Sequence, residues 1–225
     1  MKRPWDTDAL ITRFEDHRNP QLAAPMSAYM KHNFPFLGIQ KPLRTALMKE
    51  QLSAYLLPEK AQLTSVVQVL YAMPEREYHY TAIELLERAK KQLTPDDLPF
   101  LRLLIETNSW WDSVDIIAPK LVGDIVLHNP KTTAPVLFAW SQTENLWTQR
   151  AAILHQLKFK QQTDTHLLGS IISHHAESRE FFIQKSIGWA LREYAKTDDA
   201  WVMNFVSTHS LQPLSRREAL KHMKK

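Results

Sequence analysis

The sequence predicts an all-α protein, an α-solenoid of stacked antiparallel helix pairs. Three observations predict it. First, the 225 residues contain only four glycines, against about 7% in average proteins. Neither GxGxxG nor GxxxxGK[ST] occurs, so the nucleotide folds built on those turns are excluded. Second, good helix formers fill long stretches punctuated by thirteen prolines, and no two-residue alternation between glycine turns marks a strand. Third, short similar segments start at Tyr80, Ser113, Arg150, Lys185 and Arg217, spaced by 33, 37, 35 and 32 residues. A period near 35, with two short helices per unit, is the signature of a solenoid.

In chain order, helices are expected over residues 21–32, 42–55, 61–72, 75–92 and 95–107, then from Trp110, around Trp147–Lys158, and over 181–196. The connections are short and carry a proline, as at Met73-Pro74, Thr94-Pro95 and Asn129-Pro130, so successive helices should be antiparallel neighbours. No Gly/Ser linker, charge run or low-complexity tract interrupts the chain, and residues 1–225 read as a single repeat domain.

Composition narrows the chemistry. With no cysteine, disulfides, iron–sulfur clusters, zinc knuckles and thiol nucleophiles are excluded. No run of 18 apolar residues occurs, and MKRPWDTDAL lacks a signal-peptide core. A soluble, cytoplasmic protein is expected. The net charge of +4 is uneven: residues 1–145 carry 16 basic and 17 acidic side chains, residues 146–225 carry 12 and 7. A basic half on a neutral chain suits either a polyanionic partner or a solvated surface.

Three sets of residues sit where simple packing would not put them. On a helical wheel of 181–196, Ile183, Ile187, Ala190, Leu191 and Tyr194 form the core face. Lys185, Trp189, Arg192 and Lys196 fall opposite. The tryptophan is either covered by a neighbouring helix with lysine stems along it, or it is an aromatic platform flanked by phosphate-binding cations. In residues 109–115 (SWWDSVD), Ser109 and Asp112 fit a variant capping box that starts a helix at Trp110. Trp110, Val114 and Ile117 then face the core, Asp112 serves the cap, and Trp111 and Asp115 pair at i, i+4 on another face. A carboxylate beside an indole needs a cation, which a neighbouring helix could also supply as a plain salt bridge. Third, Arg150 lies among Trp147, Ile153, Leu154 and Leu157. An arginine in an apolar sector must pair with an anion: Asp115, Asp112 or a phosphate. Repeat register places Arg150 where Lys185 sits one unit later. The ten histidines show no HExxH or other metal-ligand spacing, and no GxSxG elbow is present.

At this point the sequence resembles the AlkD-type DNA alkylation-repair glycosylases, which are HEAT-like repeat proteins. The resemblance rests on 26–31 (MSAYMK), 36–40 (FLGIQ), 73–77 (MPERE), 109–115 (SWWDSVD), 147–154 (WTQRAAIL), 181–196 (FFIQKSIGWALREYAK) and 214–219 (LSRREA), in order along nearly the whole chain. Lys41 departs from the small polar residue expected there and adds a cation. The resemblance implies a HEAT-like solenoid with a concave basic face. It also implies a monofunctional glycosylase that removes cationic purines, 3-methyladenine and 7-methylguanine, from duplex DNA without deep base flipping. The implied partner is double-stranded DNA containing alkylated bases, with no cofactor, no metal and no membrane. The implied form is a monomer, cytoplasmic and nucleoid-associated when bound. Asp115 is the expected carboxylate near the sugar C1′, with Trp111 and Trp189 flanking the deoxyribose. Tyr29 and Gln40 fall on the DNA side, and Arg150 and Arg192 would hold phosphates. Lys158 and Lys185 are phosphate candidates by charge and position. The competing class is a HEAT-like nucleic-acid-binding or protein-binding scaffold without catalysis, since fold does not fix function.

Overall fold

A computed structural model describes residues 2–221. Helix makes up 71% of it, and no strand occurs among the described residues. The one β-type contact is an isolated parallel bridge between Arg3 and Tyr55. No helix among the described residues is long and apolar enough to cross a membrane. The chain divides into two compact units, Met1–Gln92 and Leu93–Lys225.

The first unit contains α1 (Thr7–Glu15), α2 (Pro20–Tyr29), α3 (Lys41–Ala54), α4 (Lys60–Ala72) and α5 (Arg76–Arg88). Asp6 and Asn19 cap α1 and α2 by accepting from Ala9 and Leu22 N–H. The proline turn at Pro74 returns α5 onto α4, and α1 packs on α3. Leu10, Phe14, Leu47, Val67, Leu70 and Tyr78 are buried between them, with the Phe14 and Tyr78 rings stacked at 5.6 Å. Helix α2 ends three residues earlier than the periodicity suggests, because Lys31 and His32 take φ of 58° and 59°.

A buried carboxylate organises the loop before α3. Glu77 is fully buried and accepts from the N–H groups of Leu37, Gly38 and Ile39, each at 2.9 Å. Gly38 has φ of +90°, and a Cβ there would lie 2.0 Å from the Asn19 carbonyl. Only glycine allows this approach.

The second unit contains α6 (Leu98–Glu106), α7 (Trp111–Ile117), α8 (Gly123–His128), α9 (Pro130–Ser141) and α10 (Leu146–Leu154). It continues through α11 (Thr165–His174), α12 (Phe181–Tyr194), α13 (Asp199–Thr208) and α14 (Pro213–Ala219). Pro95–Asp97 is a 3-10 turn, so the helix expected from residue 95 becomes α only at Leu98. Asn145, Asp164 and Asp198 cap α10, α11 and α13. Between α7 and α8 the chain runs through a π turn at Ala118–Val122. Pro119 has no N–H, so the regular α ladder cannot close there, and the wider turn absorbs the break.

Helix α10 packs against α6, α7, α9 and α12, and α12 packs most extensively against α14. Ile153, Ile171, Ile172, Ile183, Ile187, Leu191, Val202 and Val206 form the core of this unit. The helical wheel of α12 is therefore right: Ile183, Ile187, Ala190 and Leu191 are buried, and Tyr194 packs against the cluster. The capping box at Ser109 does not form. Its hydroxyl donates back to the Ile105 carbonyl at 2.7 Å, and Trp110, in extended backbone, occupies the N-cap position of α7. The last turn of α6 offers an unpaired carbonyl, and Ser109 satisfies that instead.

Candidate active site

The start of the site is dictated by the periodicity of α7. Val114 and Ile117 turn into the core and are fully buried. Asp115, one residue beyond Val114, is therefore carried to the flank of the helix, one turn after Trp111. Asp112 sits in the first turn, where a negative charge suits the helix N-terminus.

Helix α10 brings Arg150 to that flank. Its Nε donates to Asp115 Oδ1 at 2.8 Å and its Nη2 to Oδ2 at 3.0 Å, a bidentate pair. The third donor, Nη1, reaches the Phe182 carbonyl at the start of α12, at 2.6 Å. The arginine is thus satisfied within the protein by two neighbouring elements, and the choice between Asp115 and Asp112 falls to Asp115. The Arg150 side chain is 5% exposed, while that of Asp115 keeps 17%. Burial raises the Asp115 pKa above the ordinary aspartate value. The Arg150 guanidinium pulls it back, and the Asp112 charge pushes it further up. The two influences of burial and Arg150 oppose one another, and burial prevails.

An aromatic cluster borders the pair. Trp110 lies 5.5 Å from Trp147 and 5.3 Å from Phe182, and Trp147 lies 4.9 Å from Phe182. The Arg150 guanidinium stands 5.8 Å from the Phe182 ring centroid. Trp110 belongs to this half-buried cluster rather than to the sealed core. Phe182 lies in the matched stretch 181–196, but sequence reasoning gives it no role, because its hydrogen bond to Arg150 is made by a backbone carbonyl.

Trp189 is half-buried on α12, off the core face, with Lys185 one turn before it and Arg192 one turn after. Neither cation stands alone. Lys185 Nζ lies 3.1 Å from Glu218 Oε1, and Arg192 Nη1 lies 2.7 Å from Glu218 Oε2. Glu218 comes from α14, and repeat register sets residues 217–220 over 185–188. That was the available signal for this carboxylate.

Lys158 is exposed just past α10, at the edge of a cavity of about 400 Å³ also bordered by Lys160, Tyr194 and Lys196. Tyr29 and Gln40 belong to the first unit. Tyr29 is 68% exposed at the end of α2, and Gln40 is exposed at the N-cap of α3. Among the described residues no group of three or more His, Asp or Glu side chains is placed to hold a metal ion.

The sequence model of one family, described as DNA alkylation repair enzyme, matches residues 10–223. The chain belongs to this family. A solved structure of a predicted DNA alkylation repair enzyme from Enterococcus faecalis is 38% identical, with a TM-score of 0.86 over 93% of this chain and 98% of that one. AlkD2 from Streptococcus mutans shares 18% identity and a TM-score of 0.62, over 77% of this chain and 87% of its own. A second Streptococcus mutans structure, smu.31, shares 17% and a TM-score of 0.62, over 81% and 96%. These last two show the same helical-repeat fold. No match is found among curated proteins. Asp115, Arg150 and the α12 stripe all lie inside the span that the family match covers.

Proposed function

We propose that the protein is a monofunctional DNA glycosylase that releases cationic alkylated purines, 3-methyladenine and 7-methylguanine, from duplex DNA. The observation that carries this reading is the Asp115–Arg150 pair: a largely desolvated carboxylate, fixed by a bidentate arginine, with an edge still open. It stands in a chain of the DNA alkylation repair family.

The chemistry follows from charge. A purine methylated at N3 or N7 is positively charged, so it departs as a neutral base when its bond to C1′ breaks. No strong general acid is needed for such a leaving group. The electron pair of the bond goes to the purine, and positive charge develops on the deoxyribose. A preorganised carboxylate stabilises that charge without solvent reorganisation. Asp115 supplies it, with Arg150 fixing the plane of the carboxylate. Water then adds to C1′, and its proton passes to the Asp115 carboxylate, whose proton affinity burial has raised. The indole faces of Trp111 and Trp189 favour the cationic sugar. Lys158, Lys185 and Arg192, with Tyr29 and Gln40, engage the DNA backbone. The enzyme acts as a monomer, without cofactor, in the cytoplasm.

The test is base release. A duplex with one 7-methylguanine, methylated genomic DNA and an undamaged duplex are each incubated with the protein, and free bases are identified by mass. Release of methylated purines from the first two alone is expected. Binding without release would leave a non-catalytic scaffold.

A further inference from the structure

We infer that Glu218 is a specificity-determining residue: a built-in counter-anion that holds Lys185 and Arg192 beside Trp189 and weakens binding to undamaged DNA. The inference rests on the proposed DNA-binding role of α12.

The geometry is specific. One carboxylate, 13% exposed, serves both cations of the stripe, one on each oxygen. Arg192 Nη1 also donates to the Glu218 backbone carbonyl at 3.1 Å, which anchors the guanidinium to the α14 main chain. The helices are brought this close by Gly188, which lies between Lys185 and Arg192 on α12. A Cβ at that position would fall 2.3 Å from the Glu218 Cβ and 3.0 Å from the Ser215 carbonyl. The missing side chain is thus what lets Glu218 reach both cations. Lys185 and Arg192 in turn hold the Glu218 carboxyl below the ordinary glutamate value, so it is ionised at neutral pH. The three groups together carry one positive charge rather than two.

That difference matters on DNA. Phosphate contacts are independent of sequence and of damage, and each adds equally to binding at every site. A repair protein that must find rare lesions is hindered by strong uniform binding, because undamaged sites outnumber its targets. An internal carboxylate occupies the place a phosphate would take. It lowers the uniform part of the affinity while keeping the cations positioned around Trp189.

The experiment measures affinity for an undamaged duplex and for a 7-methylguanine duplex across a KCl series. For Glu218→Gln, which keeps the shape but removes the charge, one more counterion should be released. The salt slope should steepen by about 0.9, or roughly eightfold tighter binding at 0.1 M salt. The preference for the damaged duplex should fall. A slope that is unchanged or shallower overturns the inference, because loss of a merely structural clamp can only weaken binding. Glu218→Asp keeps the charge and should keep the wild-type slope; a slope like that of the glutamine variant overturns the inference. Lys185→Gln leaves the Arg192–Glu218 pair intact and does not depend on the first variant folding. It removes the one net positive charge of the cluster, so the slope should become shallower by about 0.9. An unchanged slope counts against the inference. Absence of any salt-dependent duplex binding by the unaltered protein would instead strike the DNA-binding reading itself.

Discussion

Two carboxylates withdrawn from solvent, one in each unit and only the first fully buried, solve the same electrostatic problem in different ways. Glu77 is fully buried and is satisfied by three backbone N–H groups of the loop it holds. Asp115 is satisfied by one side chain, Arg150, and keeps an exposed edge. Backbone donors are fixed by the fold and close around the charge on every side. A side-chain partner orients the charge and leaves a direction free. The comparison teaches that burial of a charge does not by itself mark a site. What marks it is a charge that is held in place and still able to face a reacting atom.

The largest expected effect is on the sealed carboxylate. Glu77→Ala leaves three N–H groups buried without an acceptor, each worth about 1–3 kcal/mol, and should lower unfolding free energy by about 3–5 kcal/mol in urea titrations. A loss below about 1 kcal/mol would mean that the loop re-pairs elsewhere, and the contrast with Asp115 would blur.

A third buried group sharpens the comparison: the Asp164 charge favours its proton, yet burial prevails. His155 is buried, and burial lowers its pKa to about 4. Its Nδ1 lies 2.6 Å from the Ala152 carbonyl, and its Nε2 has no hydrogen-bond partner among the described residues. The unfolded chain binds this proton more tightly. Stability should therefore be complete above pH 6.5 and fall as pH drops toward 4, by up to about 3 kcal/mol. Urea midpoints at pH 7 and pH 5 for the wild type and His155→Phe check this, and the variant should show the smaller difference. Asp115 has the opposite sign. Its raised pKa means the folded state holds the proton more tightly, so this group contributes stability in acid that is lost as pH rises through the raised value.

Asp115→Asn should slow single-turnover release of 7-methylguanine by about 100-fold or more, equivalent to about 2.7 kcal/mol of lost transition-state stabilisation. Duplex binding should persist. Wild-type rates would reduce Asp115 to a second Glu77, a charge kept only for structure.

The smallest expected effect tests the α12 stripe. Trp189→Ala should cost less than about 1 kcal/mol of stability, against about 3 kcal/mol for Trp110→Ala in the aromatic cluster, and should still slow excision. A melting-temperature loss at Trp189 equal to that at Trp110 would place Trp189 in the packing of the unit.

Helix positions were legible because apolar residues recur at helical spacing and prolines punctuate them. The boundaries that slipped did so for local reasons: left-handed backbone at Lys31 and His32, and a 3-10 turn at Pro95–Asp97. That Arg150 needs an anion is legible, because it falls among Trp147, Ile153 and Leu154; the choice of Asp115 over Asp112 or a phosphate comes only from the structure. The sequence leaves Ser109 ambiguous, because one hydroxyl can serve either the helix it precedes or the one it follows, and only the fold decides. The roles of Phe182 and Glu218 as partners do not show in the sequence. One contributes a carbonyl, which no side-chain pattern reports, and the other depends on how closely α14 approaches Gly188.

The reach of Arg150 has a consequence for how the second unit opens. Its partners lie 35 residues back at Asp115 and 32 residues ahead at Phe182, close to one repeat in each direction. In a repeat array most contacts join nearest neighbours, and segments can open one at a time. A single guanidinium that fastens three successive repeats removes that independence around the site. Native-state hydrogen exchange should therefore show the amides of α7, α10 and the first turn of α12 exchanging together in one opening, and Arg150→Ala should split them into separate ones.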